Sequence, residues 1–588
     1  MRIFTTNVWI QYFCNLRQPY SLLVRVATHK VWLAILLVLN SVSSSILQAI
    51  ALAALMPGTN FASLGITERI SVNSTGCQAN GLTDRPSISA DGRYVAFEGA
   101  NASNLVPGDT NNVADVFVHD RETGVTSRVS VGVEQIQSNN GNAFAAISAD
   151  GRYVAFQSIA TNLITGDTNG QIDVFVHECH TGVTSRVSVR SGGAQVSIGG
   201  GAPAISGDGR YVAFMSPAPD LVVGDNNGTW DVFVHDRQTS VTTRVSVSSS
   251  GTQGNGPSTS PAISSNSRYV AFFSAASDLV PNDTNGTSDV FVHDRQTGIT
   301  TCVSINSNGA QGNNSSGMLG SDHDSYISGD GRYVTFSSAA SNLVADDVNG
   351  VIDVFVHDRQ TGATTRVSAN NAGIQANGDS FFPTISADGL HVAFGSFASN
   401  LVADDNNGVA DVFVHDRQTG TTSRVSVSST RVQGNNHSSQ GDGGFEAPVI
   451  SSDGRYVAFA SAASNLVPGD SNGWWDVFVH DRNPGATVVT DNPRTPSSFL
   501  LEQNYPNPFN PATTIKLEIP VGTSRQVGTV SLRVYDALGR EVATLVNEEM
   551  KPGSYEVKWD ATGLSSGVYF YRLKTGGFVE TKKMILLR

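Results

Sequence analysis

The residues best placed for chemistry lie in a pattern, D-x-N-G-x-x-D, that recurs seven times. Its copies are Asp109/Asn111/Asp115, Asp167/Asn169/Asp173, Asp225/Asn227/Asp231, Asp283/Asn285/Asp289, Asp347/Asn349/Asp353, Asp405/Asn407/Asp411 and Asp470/Asn472/Asp476. Two carboxylates and an amide oxygen around a glycine turn suit a hard cation, so calcium is the cofactor these loops suggest. Asn112 replaces the glycine in the first copy. The donor set falls short of six oxygens, and the alternative is that these side chains bond the loop's own backbone in Asx turns. Another acid follows eleven residues after the first aspartate, as at Asp120, Glu178 and Asp236. It is no ligand, because five strand steps carry it about 16 Å from the loop.

A second repeated group is histidine: His119, His177, His235, His293, His357, His415 and His480. A catalytic base is needed once, so one histidine per repeat points to a structural hydrogen bond, expected to a Ser or Asp of the same unit. Residues that do not repeat are better candidates for a unique binding site. They sit in the two longest connections, 305–326 and 427–449, and are Asp322, His323, Asp324, His437, Asp442 and Glu446. No catalytic residue is assigned. His177-Glu178-Cys179-His180 lacks the H-E-x-x-H spacing, and the G-x-S-x-G match at 563–567 lacks a strand-elbow-helix context.

The elements that carry these loops follow from the repeat. Each unit reads P-x-I-S-x-D-G-R-Y-V-A-F, then a polar loop, then D-V-F-V-H-D-R, then T-T-R-V-S-V. The D-G-R position falls at Asp91, Asp150, Asp208, Asn266, Asp330, Asp388 and Asp453, in steps of 58–65 residues. RYVAF and DVFVH are apolar on both faces and need cover on both sides. The tight D-G and T-G segments between strands are hairpin turns. Four strands per unit, repeated radially, predict an all-β, seven-bladed β-propeller over 57–490. An extra RVSV-like strand, TERISV at 67–72, precedes the first unit, and the last unit lacks one. That strand is expected to complete the last blade and close the ring. The tight turns share one face; the Asn-, Gln- and Gly-rich long loops share the other, where binding is expected.

The hairpin and DVFVHDR strands resemble TolB-type, WD-like propeller repeats. The fold says little about function, since propellers host many activities. Charge narrows the partners. Residues 57–493 hold 42 acids against 21 arginines and no lysine, which excludes nucleic acid as a partner. Cys14, Cys77, Cys179 and Cys302 form no disulfide framework.

Residues 1–56 read as a signal peptide: a basic stretch, then VWLAILLVL and ILQAIALAAL, with no charge between Lys30 and Glu68. An uncleaved anchor is the competing reading. A Pro-rich linker, 491–498, leads to a C-terminal domain, 499–588, whose alternating strands predict a small Ig-like sandwich. Within it Asn504-Tyr505-Pro506-Asn507-Pro508-Phe509-Asn510-Pro511, Tyr535-Asp536, Leu538-Gly539-Arg540, Gly567-Val568-Tyr569 and Lys582-Lys583-Met584 resemble the type A sorting domain of the type IX secretion system. The resemblance implies export to the cell surface or medium and contact with the secretion machinery. The reading is therefore an exported monomeric binding module for a protein or glycan. A glycan hydrolase or lyase, and a structural or adhesion protein, are the alternatives.

Overall fold

A computed structural model describes residues 65–317, 325–441, 444–482 and most of 500–587. The signal peptide, the linker, and Asp322, His323, Asp324 and Asp442 lie outside the described residues. The first repeat forms β1 (Ile66–Arg69), β2 (Leu82–Ile88), β3 (Tyr94–Ala100), β4 (Asp115–Asp120) and β5 (Val125–Arg128). Strands β2 to β5 make one antiparallel sheet in sequence order. Five further sheets repeat that order over 142–186, 201–244, 258–302, 325–366 and 380–424. We number the six in chain order.

The seventh sheet is completed from afar. β1 pairs antiparallel with Asp476–Asp481, Ile66 opposite Asp481 and Arg69 opposite Phe478. The expected clasp is therefore present, shifted to 66–69 from the predicted 67–72. The outer strands likewise hold T-T-R and end before the V-S-V, because the chain leaves the sheet there to build the long connections.

Contacts between sheets follow a cycle. Ala90 N–H donates to Ala149 O at 2.9 Å, and Ala149 N–H to Gly207 O at 3.1 Å. Asn266 donates to Gly329, Gly329 to Ala387, Ala387 to Ser452, and Ser452 back to Ala90, all within 3.2 Å. The donors and acceptors are D-G-R hairpin turns, the trimmed loops of the sequence. Within each sheet, phenylalanines of neighbouring strands stack, as Phe214 does on Phe233 at 6.0 Å. Such buried aromatics dominate core energetics.

The turn face adds a second tie. Tyr211 lies between Arg210 of its own sheet, 4.8 Å away, and Arg295 of the next, 4.0 Å away. Tyr153, Tyr269, Tyr333 and Tyr456 are sandwiched in the same way. Each contact contributes about 0.5–1 kcal/mol where exposed. At Tyr94 the place of the neighbour's arginine is taken by Cys179. The acids set aside as ligands sit on this face: Arg210 grips Asp236 with Nε and Nη2 at 2.8 and 2.6 Å.

The C-terminal domain has seven described strands in two sheets. Leu500–Leu501, Ala512–Ile519 and Gly553–Asp560 make one. Glu541–Glu548, Val530–Asp536, Gly567–Thr575 and Phe578–Leu586 make the other. One apolar cluster, including Ile515, Leu532, Trp559, Tyr571 and Met584, draws on both. Asn507 Oδ1 accepts from Ile585 N–H at 2.9 Å and Phe509 N–H donates to Ile585 O at 3.0 Å, so these two residues pack on the last strand.

Candidate functional site

The D-x-N-G-x-x-D loops bring their two aspartates together, as expected, but around an arginine. Arg128 Nη1 lies 3.2 Å from both Asp109 and Asp115. Arg186 lies 3.1 and 3.3 Å from Asp167 and Asp173; Arg244 lies 3.3 and 3.5 Å from Asp225 and Asp231. Arg366 pairs with Asp347 and Asp353, and Arg424 with Asp405 and Asp411. In the seventh sheet β1 supplies the cation, Arg69, to Asp470 and Asp476. The arginine comes from the T-T-R strand, so the pairing is set by register: Phe233 lies opposite Arg244 in the sheet.

The loop asparagines, expected as amide-oxygen ligands, are spent inside their own loops instead. Each turns its nitrogen, not its oxygen, toward the second aspartate. Asn111 Nδ2–H donates to Asp115 at 3.2 Å, Asn169 to Asp173 at 3.1 Å and Asn227 to Asp231 at 3.1 Å. Asn285 donates to Asp289 at 2.7 Å, Asn349 to Asp353 at 2.9 Å, Asn407 to Asp411 at 2.7 Å and Asn472 to Asp476 at 3.1 Å. The amide oxygen of each accepts the backbone N–H two residues on, from Val113, Gln171, Thr229, Thr287, Val351, Val409 and Trp474 in turn. This is the Asx turn weighed against calcium, and Asn111, Asn169, Asn227, Asn285, Asn349, Asn407 and Asn472 all adopt it. The physical reason is that the short side chain closes its own turn and leaves only N–H groups facing the carboxylate.

The remaining lone pairs are also filled. Asp231 accepts Ser246 Oγ–H at 2.5 Å and Gln253 Nε2–H at 2.9 Å. All seven second aspartates are completely buried. In six loops the positive charge these carboxylates face is a guanidinium. Among the described residues no cluster of three or more His, Cys, Asp or Glu is arranged to hold a metal ion. The T-T-R arginine was the signal missed in sequence, visible there as one of three arginines that recur through the repeats.

The repeated histidines are structural, with a corrected partner. His235 Nδ1 meets Thr242 Oγ1 at 2.9 Å, not a Ser or Asp. Thr242 donates its only hydroxyl proton to Val189 O, at 2.6 Å. The threonine must then accept, which places the imidazole proton on Nδ1. The same contacts hold in the other six sheets, with Thr67 of β1 serving His480. Burial pushes His177, His235, His357 and His480 down to about 4, so they are neutral at physiological pH.

Of the non-repeated residues, His437 and Glu446 are described and lie apart. His437 Nδ1 accepts Ala410 N–H at 3.1 Å, and its ring meets Phe397 edge-on at 6.1 Å. Phe397 in turn packs against Phe381 at 5.5 Å. Glu446 joins a group that sequence reasoning missed: Asp84, Arg85 and Glu98. Strand β2 bulges between Asp84 and Ser87, and Arg85 takes a left-handed φ of 47°. Its N–H then points to Glu446 Oε2, 2.9 Å away. Its Nη1 donates to Glu98 Oε2 at 3.1 Å, and its guanidinium covers the Phe144 ring at 4.4 Å. Glu98 reaches the bulge of the next sheet, accepting from Phe144 N–H. Gln157 does the same one sheet on, for Ala202 N–H at 3.0 Å.

These acids are held out of water. Burial pushes Glu98 up to about 8, against the pull of Arg85. Burial and then Asp84 drive Glu446 well above the usual carboxylate range. Glu446 Oε1 is buried and accepts no hydrogen bond. The like charge of Asp84 disfavours ionisation of Glu446 in the same sense as burial does. Glu98 could have been found in sequence as the single acid at a position occupied elsewhere by Gln157, Met215, Phe273, Ser337, Gly395 and Ala460.

Comparison with known proteins bears on the tail. Residues 503–587 match the family model of the secretion system C-terminal sorting domain. This segment is a type IX sorting domain. The protein is accordingly secreted or displayed at the cell surface, and the sorting domain is its contact with the secretion machinery. No curated protein matches the sequence. Solved structures similar to the chain include TolB from Agrobacterium tumefaciens, at 16% identity and TM-score 0.31, covering 49% of this chain and 82% of that one. PorZ of Porphyromonas gingivalis, a surface component of the type-IX secretion system, is 12% identical at TM-score 0.35, covering 86% and 59%. The WD40 repeats of RRP9 are 9% identical at TM-score 0.37, covering 71% and 97%.

Proposed function

We propose that residues 57–490 form a closed seven-bladed β-propeller that acts, as a monomer, in binding a protein or glycan rather than in catalysis. One observation carries this reading. The repeated histidines, and the repeated aspartates wherever an arginine faces them, are committed to internal partners, leaving amide-rich loops as the variable surface. The cyclic contacts between hairpin turns and the β1 clasp support closure. In this reading residues 1–56 are the signal peptide and 491–498 the linker, and the tail is an Ig-like sandwich. Calcium is not needed by the six arginine-bearing loops. The test is a glycan array and surface pull-down with the full chain, followed by product analysis. Retention without turnover is expected; released product would overturn the reading.

One observation favours a hydrolase or lyase instead. Asp84, Glu98 and Glu446 are unique and gathered around Arg85, and burial raises both Glu98 and Glu446, the kind of perturbation that marks acid–base sites. If that reading holds, Glu98→Gln abolishes turnover while retention on the array persists.

A further inference from the structure

On the turn face, each seam between neighbouring sheets offers the same seat for a cation, and six of the seats are filled from within. Arg121, Arg237, Arg295, Arg359, Arg417 and Arg482 each donate Nη1–H to the middle carbonyl of their own sheet's D-G-R hairpin, as Arg359 does to Gly331 O at 2.6 Å. Five of these guanidinium groups also cover the tyrosine of the preceding sheet, 4.0–4.4 Å from the ring centroid. The seam between the first and second sheets is the exception. Cys179 stands at the arginine's place and is exposed, and its side chain stops one atom past Cβ. The half-buried Tyr94 keeps only Arg93 of its own sheet, at 4.9 Å. Gly151 supplies the counterpart carbonyl, and among the described residues no donor is bonded to it. Acids surround the gap: Asp91, Asp120 and Glu122 act on Tyr94, and Asp150 and Glu178 on Cys179. Arg93 and Arg152 are the cations paired with them. Five carboxylates against two guanidinium groups leave the gap net negative.

We infer that the gap between Tyr94, Gly151 and Cys179 is a docking site for an arginine side chain presented by a partner protein. The guanidinium is planar, so it can lie on the tyrosine ring and donate in its own plane to the carbonyl, as it does in the filled seams. The surrounding carboxylates draw a cation toward the gap and turn an anion away. An arginine seated in a pocket is also the kind of anchor that carries much of an interface's energy. The site lies among the tight turns, so it is separate from the loop-face binding proposed above.

The experiment uses the full chain and follows modification of Cys179 by peptide mass spectrometry. Rates with the trimethylammonium-ethyl and the sulfonato-ethyl methanethiosulfonate are each divided by the rate with free cysteine. The cationic reagent is expected to be favoured at least about tenfold. N-acetyl-arginine amide should slow modification by the neutral methyl methanethiosulfonate, and its uncharged isostere N-acetyl-citrulline amide, at matched ionic strength, should not. Tyr94→Leu should weaken that protection about threefold; the sixth sheet keeps its four strands with His391 at the same position. In a melting experiment the arginine amide, compared with the citrulline amide, should raise the midpoint of wild type and Cys179→Ser. It should leave Cys179→Arg, whose gap is filled, unmoved. Equal normalised rates for the two charged reagents, equal protection by the two amides, or the same melting shift in Cys179→Arg overturns the inference. Slow modification of wild type that Arg494→Ser relieves also overturns it, because the chain's own linker would then be the occupant.

Discussion

The third and fourth sheets share most of their strand residues, and one of their differences removes a charge. Arg244 in the third sheet becomes Cys302 in the fourth, at the same register opposite a phenylalanine. Burial pushes the Cys302 thiol up to about 12, so it contributes no charge. Asp289 keeps its bonds from Ser304 at 2.5 Å and Asn285 at 2.7 Å but has no cation. Burial then pushes it up to about 6. Asp283 beside it is also raised, again by burial. The fold tolerates the loss, since the fourth sheet keeps its four strands and its place in the cycle. The arginine is thus dispensable for making a sheet; where present, as beside Asp173, Asp353, Asp411 and Asp476, it opposes the upward push of burial on the carboxylate.

Four experiments break or sharpen this contrast. The largest effect is expected from Asp231→Ala, which strands Arg244 and Ser246 in the interior. Breaking a buried pair from one side costs about 3–5 kcal/mol, read by urea denaturation. Asp289→Asn, with no cation to strand, should cost under about 1 kcal/mol; equal losses would show that the arginine is irrelevant.

The second concerns pH. Asp289 is protonated more readily folded than unfolded, so its contribution is fully present below about 4. That contribution falls as pH rises to about 6 and is flat above. The shift corresponds to at most about 3 kcal/mol. Cys302→Arg should remove this decline, giving a flatter stability profile from pH 4 to 7 than wild type. Parallel profiles would contradict the account.

The third, Arg244→Cys, rebuilds the fourth sheet inside the third. It should cost about 1–3 kcal/mol at pH 7 and less at pH 4.5, where a proton replaces the cation. The smallest effect belongs to His235→Gln. Its imidazole donates to Thr242, and losing one such bond costs about 1 kcal/mol, checked by the melting midpoint. A loss that depended on pH between 5 and 8 would show that the histidine titrates there, against its buried, neutral state.

Much of this was legible in the sequence because repetition averages out noise. Seven copies of RYVAF and DVFVH defined the strands, and the missing R-V-S-V of the last unit announced β1. Glu446 was visible as an acid in an over-long connection. Its partners were not, because Arg85 and Glu98 sit in ordinary strand sequence. They meet Glu446 only where the first and last sheets touch, and the bulge that turns Arg85 N–H toward it has no glycine to mark it. The arginine at the aspartate loops was overlooked for a different reason. It lies 13 residues beyond the second aspartate of its own loop, on the far side of a hairpin, and only sheet register places the two together. The asparagines between the aspartates read equally well as ligands or as turn formers, since either role uses the same amide oxygen.

The strand β1 has a further consequence. The last sheet offers an open edge at Asp476–Asp481 until Ile66–Arg69 arrives, and those segments are separated by almost the whole repeat. An unpaired edge accepts any strand of the right register. At high protein concentration two chains can each lend this strand to the other, giving an exchanged dimer whose subunits are individually complete. Crowding along the export route thus favours partner exchange, and dilution before refolding favours the single chain.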